Sequence, residues 1–105
     1  MSEIKQYLYR IQPARPEMLT GGATPEEQQA TSLHFDYLQE LLAAGALVLA
    51  GRTQNTDETS FGIVIFEAES DEAANEIMLN DPVVKLGVMN AWLFPYGVAL
   101  MRQGW

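Results

Sequence analysis

The segment 61–68 is apolar on both sides of a β-strand, and this feature constrains the fold more than any other. The side chains of Ile63 and Ile65 would point to one face of a sheet. Those of Val64 and Phe66 would point to the other face. A strand with this pattern is usually buried on both faces. The sequence therefore predicts a sheet whose two faces are both covered.

Three further segments predict strands, at residues 4–12, 46–51 and 88–100. The first is rich in tyrosine and isoleucine, which favour strands. Pro95 and Gly97 interrupt the last segment, and a proline there indicates an edge strand or a bulge. Segment 13–22 is predicted to be a loop, because prolines and glycines punctuate it without a hydrophobic period.

Two segments predict helices. The first begins after Thr24, because Pro25 suits the first helical position and Glu27 completes a capping box. It is expected to end near Ala44. The apolar half of its helical wheel holds Ala30, Leu33, His34, Tyr37, Leu38, Leu41 and Leu42. The second helix begins after Ser70 and breaks at Asp81-Pro82, with a short helical turn expected over residues 82–86.

The resulting order, β-α-β-β-α-β, predicts an α+β, ferredoxin-like fold with an antiparallel sheet and two helices on one face. Residues 1–105 are expected to form one domain. Two helices cannot cover both faces of a four-stranded sheet, and Trp92, Phe94 and Tyr96 add apolar surface. The sequence therefore predicts a homodimer that packs its sheets face to face, an arrangement known as a dimeric α/β barrel.

The net charge of −8 argues against nucleic acid as a partner, because phosphates would be repelled and the basic residues are scattered. No apolar run is long enough to span a membrane, so no membrane partner is expected. The N-terminal residues lack the basic-then-apolar pattern of a secretory signal, which makes the cytoplasm the expected location. With no cysteine, the chain contains neither disulfides nor thiolate chemistry.

His34 is the only histidine and lies near the middle of the apolar face of the first helix. A free imidazole has a pKa of ~6.5, which suits proton transfer near neutral pH. Two interpretations remain open. The ring is either a half-buried structural group that bonds to the backbone, or a general acid or base in a pocket wall.

Asp81 also has two interpretations. As the residue before Pro82, it would cap the short helical turn that follows. It could instead orient and charge-stabilise His34, as carboxylates do in acid–base pairs. The spacing in the sequence does not establish a contact between the two.

Arg10, Arg52 and Tyr7 are the candidates for binding a small-molecule substrate. Either arginine could hold an anionic group, and the alternative is an arginine on the surface or in an ion pair. Tyr7 and the other aromatic residues suit core packing, but a pocket lined by them would accept an apolar ring. One histidine without cysteines makes a poor metal site, and no phosphate-binding glycine motif is present. No metal and no cofactor are therefore expected.

Three groups of residues resemble the YCII-related (YciI-like) family. The first runs from the helix histidine to the end of the second strand, and is followed by two motifs in the second half of the chain. In this sequence they read His34-x-x-Tyr37-Leu38-x-x-Leu41-x-x-x-Gly45-x-Leu47-x-x-Ala50-Gly51, Ser70-x-Glu72-Ala73-Ala74 and Asp81-Pro82-x-x-x-x-Gly87. The resemblance covers roughly residues 4–100. Arg52 departs from it, since the family usually has proline there, and the linker over 13–23 is long enough to act as a lid.

The resemblance implies a dimeric α/β barrel and an active site that pairs His34 with Asp81. Some members act in dehydrochlorination or related steps on aromatic breakdown products, which implies cofactor-independent acid–base chemistry on a small cyclic compound. Elimination, dehydrochlorination and isomerisation all fit. A non-catalytic metabolite-binding or accessory module is the alternative, and a cofactor-free oxygenase has fold analogy alone in its favour.

Overall fold

The computed structural model describes residues 4–103. Their four strands form one antiparallel sheet in the order β2-β3-β1-β4, and the helices pack on one face of it. This is the ferredoxin-like α+β fold that the element order predicts. In chain order the elements are β1 (Lys5–Pro13), a 3-10 helix (Pro16–Thr20), α1 (Pro25–Ala43), β2 (Leu47–Arg52), β3 (Gly62–Ala68), α2 (Asp71–Asn80), α3 (Pro82–Lys85) and β4 (Met89–Pro95).

The helix-covered face of the sheet carries the core. Strand register places Tyr7 beside Phe66 and Tyr9 beside Val64, and all four side chains are buried. The Tyr9 and Phe66 rings meet edge to face with centroids 5.6 Å apart, a favoured arrangement for aromatic pairs. Fully buried alanines in α1 and α2 let both helices lie close to these rings.

The opposite face of the sheet, here called the open face, is also apolar. By the strand alternation it carries Leu8, Arg10, Leu49, Ile63, Ile65, Trp92 and Phe94. Trp92 and Phe94 are 40% and 46% exposed. No helix among residues 4–103 packs on this face, and although Ile65 is buried, Trp92 and Phe94 leave apolar surface in contact with solvent.

Local sequence signals set most element boundaries. The capping box at the start of α1 is present, with the Thr24 side chain accepting from the Glu27 backbone and the Glu27 side chain accepting from the Thr24 backbone. Ser70 caps α2 in the predicted position. β4 lies at the edge of the sheet and ends at Pro95. Edge strands tolerate proline, which accounts for the position of Pro95 in this strand.

Three expectations were wrong in detail. The last strand stops at Pro95 and does not reach residue 100. The Tyr96 N–H still donates to the Gln6 carbonyl, but the Val98 N–H bonds to the Gln6 side chain, so regular pairing with the β1 backbone ends. The predicted loop contains a 3-10 helix over Pro16–Thr20. Leu33 and Leu42, assigned to the inner half of α1, are 41% and 60% exposed because the stripe of the helix that meets the sheet is narrower than half of the wheel.

No helix within the described range is both long enough and apolar enough to cross a membrane.

Candidate functional site

His34 lies on the side of α1 that packs against the sheet. The helix begins at the Thr24 cap, and the buried Ala30 and Leu38 of the same stripe lie one turn before and one turn after the histidine. The imidazole therefore faces inward, with 15% of its side chain exposed. It is neither enclosed in hydrocarbon nor free in solvent.

Asp81 occupies the junction of α2 and α3, where Pro82 forces extended backbone. Its φ and ψ of −62° and 125° end one helix and allow the next to begin. The carboxylate Oδ1 accepts a hydrogen bond from the Val83 backbone N–H at 3.2 Å, so Asp81 does cap α3. The side chain is fully buried.

The same carboxylate contacts His34. Nδ1 of the ring lies 2.7 Å from both Oδ1 and Oδ2 of Asp81. The two interpretations of Asp81, a cap and a partner of the histidine, are thus not exclusive, because one carboxylate has enough lone pairs for both. The pair that the family resemblance implies is in contact.

Tyr9 supplies a third donor to this carboxylate. Its hydroxyl donates to Oδ2 of Asp81 at 2.6 Å from the middle of β1. Burial, together with the negative charge of Asp81, raises the pKa of Tyr9 far above its ordinary value, so the phenol stays protonated and remains a donor. A buried carboxylate is tolerated only when such donors replace its water.

The contact with Asp81 determines which nitrogen of the His34 ring carries the proton. Asp81 is an acceptor when ionised, so it favours the tautomer with its proton on Nδ1. Nε2 then carries a lone pair. Among residues 4–103, no side chain or backbone group hydrogen-bonds to Nε2. The arrangement leaves one nitrogen of a carboxylate-held imidazole able to accept a proton.

Tyr37, one turn beyond the histidine, fixes α1 against α2. Its hydroxyl donates to the backbone carbonyl of Ile77 at 2.7 Å. Burial, aided by the charges of Asp81 and Glu40, raises the pKa of Tyr37 to about 12. This bond sets the distance between the helix that carries His34 and the helix that leads to Asp81.

His34 lines a cleft of about 370 Å³ between α1, the β2–β3 end of the sheet and the 3-10 helix. The walls are mainly apolar. They are formed by Ile11, Pro13, Leu19, Thr31, His34, Phe35, Leu38, Ala50, Gly51, Arg52, Ser60, Phe61, Gly62, Ile63, Val64 and Met89. A cavity of this size and composition fits a small ring compound.

The three residues predicted to bind substrate lie in different places. Arg52 lines the cleft with His34. Arg10 is on the open face, where its guanidinium stacks on Trp92 at 4.7 Å from the ring centroid. Tyr7 lies on the helix-covered face but lines a separate, shallow groove, and its hydroxyl donates to Asp71 at 2.7 Å. That bond raises the pKa of Tyr7 to about 12.

Sequence reasoning missed Tyr9 and Ser60. Strand alternation puts Tyr9 in the core, which predicts a packing role alone. The available signal was its hydroxyl, since a buried tyrosine usually finds a hydrogen-bond partner. Ser60 follows a polar connection and gave no signal of its burial in the cleft wall.

The long linker also reaches the cleft, through Pro13 and Leu19. Arg15 ties this segment to α1 by donating to both carboxylate oxygens of Glu27, at 2.9 and 3.1 Å. A third bond runs from Arg15 to the Gly22 carbonyl at 2.8 Å. The linker is therefore part of the cleft wall, and its movement as a lid stays a prediction.

Within the described range, no group of three or more histidine, aspartate or glutamate side chains is placed to hold a metal ion.

Comparisons with known proteins agree with this fold. The family model of the YCII-related domain matches residues 7–93. No curated protein is a significant match to the sequence. Among solved structures, a 5-chloro-2-hydroxyhydroquinone dehydrochlorinase from Burkholderia phenoliruptrix, in complex with 2,5-dihydroxybenzoquinone, superposes with a TM-score of 0.61 at 22% identity. The likeness covers 87% of this chain and 93% of that chain.

An uncharacterised protein from Thermotoga maritima is also similar, with a TM-score of 0.56 and 9% identity. Here the likeness covers 90% of this chain and 100% of that chain. At these identities both likenesses show a shared fold.

Proposed function

This chain belongs to the YCII-related family, and on that premise we propose that it is a small enzyme that performs acid–base chemistry on a cyclic metabolite without a cofactor. The observation that carries the proposal is the contact of His34 with the buried Asp81 at the wall of an apolar cleft. The named activity of the Burkholderia neighbour, a dehydrochlorinase, is a reaction of this class.

His34 and Asp81 are the proposed catalytic pair. Nε2 of His34 takes a proton from a ring carbon, and Asp81 stabilises the resulting imidazolium through Nδ1–H. In an elimination, the C–H electron pair becomes the new double bond and the leaving anion, such as chloride, departs with its bonding electrons. In an isomerisation, the imidazolium returns the proton to another carbon. Both outcomes need the same two residues.

The experiment uses a panel of small halogenated and hydroxylated ring compounds in D₂O. Chloride release and exchange of carbon-bound hydrogen for deuterium report proton abstraction directly. We expect His34→Asn to abolish both, because an amide N–H can still donate to Asp81 but no basic nitrogen remains. Lys85→Gln, which changes a charge away from the cleft, is the control and should keep full activity.

If wild-type protein binds a ring compound in the cleft but neither exchanges its hydrogens nor releases a product, the enzyme proposal is wrong. That result would support the metabolite-binding module instead. Equal turnover by wild type and His34→Asn would contradict the role of the histidine while leaving an enzyme in place.

We also propose that two copies of the chain pair through their open faces. Trp92 and Phe94 expose apolar surface there, and a second copy offers the same surface in return. Nε of Arg10 is buried and has no hydrogen-bond partner among residues 4–103, although a partner across such an interface would satisfy it. A cytoplasmic location and the organisation of residues 1–105 as one domain stay predictions from the sequence.

A further inference from the structure

We infer that the cleft selects a small apolar ring that carries one negatively charged oxygen group, a carboxylate or a phenolate, and that Arg52 binds this group. The inference rests on the proposed function, because it assumes that the cleft beside His34 is where the substrate binds. It adds the class of substrate and a residue that determines specificity.

Arg52 provides the positive charge. It is the single lysine or arginine among the residues that line the cleft. Its Nε donates to the Thr53 carbonyl at 3.1 Å, which holds the base of the guanidinium. Within residues 4–103 its two terminal nitrogens make no hydrogen bond and no carboxylate pairs with it. The pair of terminal nitrogens has the geometry that binds a carboxylate through two parallel bonds.

A free guanidinium is notable in this chain because the net charge is −8. Arg15 is paired with Glu17 and Glu27, whereas no carboxylate of the described residues pairs with Arg52 at the cleft. The overall field repels anions, so an anion that enters must be held by a local cation. Arg52 is the group in the cleft that can do this.

The row of the sheet beside Arg52 is apolar, because Ile11 packs closely over Gly62. Arg52 and Gly62 are register partners, with Ile11 on the other side of Gly62 in the same row of the sheet. A Cβ at Gly62 would lie 3.2 Å from Cγ1 of Ile11 and 3.3 Å from the Gly51 carbonyl. Ile11 therefore fills the space over Gly62 and forms an apolar floor next to the cationic Arg52, a combination that suits a ring with one charged substituent.

Ser60 offers a second polar contact in the wall. It is buried, and its hydroxyl oxygen accepts from Thr53 at 3.3 Å. In that arrangement its proton has no acceptor among residues 4–103 and is available to a ligand oxygen. His34, in the same cleft, supplies the nitrogen that accepts a proton. Arg52 would therefore bind the charged group of the ligand, and a different side chain would take its proton.

Binding of benzoate, benzamide and acetate tests the inference. Benzoate carries both a ring and a charge, benzamide carries only the ring, and acetate carries only the charge. Isothermal titration calorimetry measures the affinity of each probe. The signals of the single histidine show whether each probe reaches the cleft. We expect benzoate to bind at least ~10-fold more tightly than neutral benzamide, as a charge-assisted pair requires. Acetate, which lacks the ring, should bind more weakly than either.

Arg52→Gln should weaken benzoate binding by at least ~10-fold and leave benzamide unchanged. Arg52→Lys should retain part of the preference, because the charge remains but the paired geometry does not. Lys85→Gln controls for the loss of one charge. Thermal unfolding of each variant shows that the fold is kept.

Equal benzoate affinity in wild type and Arg52→Gln would overturn the inference, as would benzamide binding as tightly as benzoate. Absence of benzoate binding up to roughly 10 mM would overturn it as well. The variant His34→Asn distinguishes a failure of the Arg52 assignment from a failure of the proposed catalytic function. It should still prefer benzoate, so a benzoate preference in a protein that shows no proton abstraction would contradict catalysis and leave the assignment of Arg52 standing.

Discussion

The hydroxyl of Tyr9 donates to the carboxylate of Asp81 at 2.6 Å, although 72 positions separate the two residues. Tyr9 lies on a central strand and Asp81 between two helices, and both are fully buried. Because Asp81 also holds His34, this bond joins the sheet to the candidate catalytic pair. The tyrosine acts on the histidine through the carboxylate, as a positioning residue.

Replacing Tyr9 with phenylalanine should lower the free energy of unfolding by about 1–3 kcal/mol, because a buried carboxylate loses one of its donors. Urea titration measures the change. Tyr7→Phe is the control, since it removes the hydroxyl of another buried tyrosine of β1, which donates to Asp71 and not to Asp81. The NMR signals of His34 should change in Tyr9→Phe and stay nearly fixed in Tyr7→Phe. The same His34 spectrum in both variants would contradict the positioning role.

Asp81→Asn should change the tautomer of His34, because an amide can present a donor where the carboxylate presents an acceptor. ¹⁵N NMR of the single histidine distinguishes a proton on Nδ1 from one on Nε2. In wild type we expect the imidazole proton on Nδ1 of His34. In Asp81→Asn, the rate of proton abstraction from a substrate should fall by about 10²–10⁴-fold. A wild-type ring protonated on Nε2 alone would contradict the proposed assignment of the base.

Glu27 predicts a pH dependence of stability. Hydrogen bonds from Arg15, then from the Thr24 backbone, lower the pKa of Glu27 to about 2, from an ordinary value of 4.5. Since the folded-state pKa is depressed, the stabilisation is complete above about pH 4.5 and is lost as the pH falls towards 2. The Tm of Glu27→Gln should therefore lie below that of wild type at pH 7, and the difference should shrink on acidification.

Glu26→Gln is the matched control for this measurement. It removes the same charge from the same helical turn, but Glu26 forms no ion pair with any of residues 4–103. Its Tm difference from wild type should be smaller at pH 7. A gap between wild type and Glu27→Gln that persists unchanged at pH 2 would show that the pair with Arg15 is not its source.

Gly62→Ala should displace Ile11, which forms part of the cleft wall. The new Cβ would press on Ile11 at 3.2 Å, so we expect a loss of about 1 kcal/mol in unfolding free energy and weaker binding of ring ligands. Gly97→Ala, where a Cβ would meet nothing within 4 Å, controls for the change of glycine to alanine. Ligand affinity equal to wild type in Gly62→Ala would place the ring elsewhere.

Phe94→Glu tests the pairing of open faces. A charge in the middle of an apolar interface should prevent association, and light scattering should show a mass of one chain where wild type shows two. Leu86→Glu puts the same charge on an exposed position near α3 and should leave the dimer intact. A monomeric wild type at micromolar concentration would end the proposal.

Much of the fold could be predicted from short stretches of sequence. The capping box of Thr24 and Glu27, the Ser70 cap and the restriction imposed by Pro82 all depend on residues within a few positions of one another. The alternation along β3 likewise identified both of its faces. These signals are local, so the order β-α-β-β-α-β and nearly all boundaries followed from them.

The family resemblance pointed to His34 and Asp81, but their contact spans 47 positions and depends on how α1 packs beside the junction of α2 and α3. The same is true of the arginines, which look alike in the sequence. Strand register puts Arg10 on the open face and Arg52 on the side of the cleft. Periodicity reports which side of its own element a residue occupies. The packing of elements against each other decides which side chains meet, and only the tertiary structure contains that information.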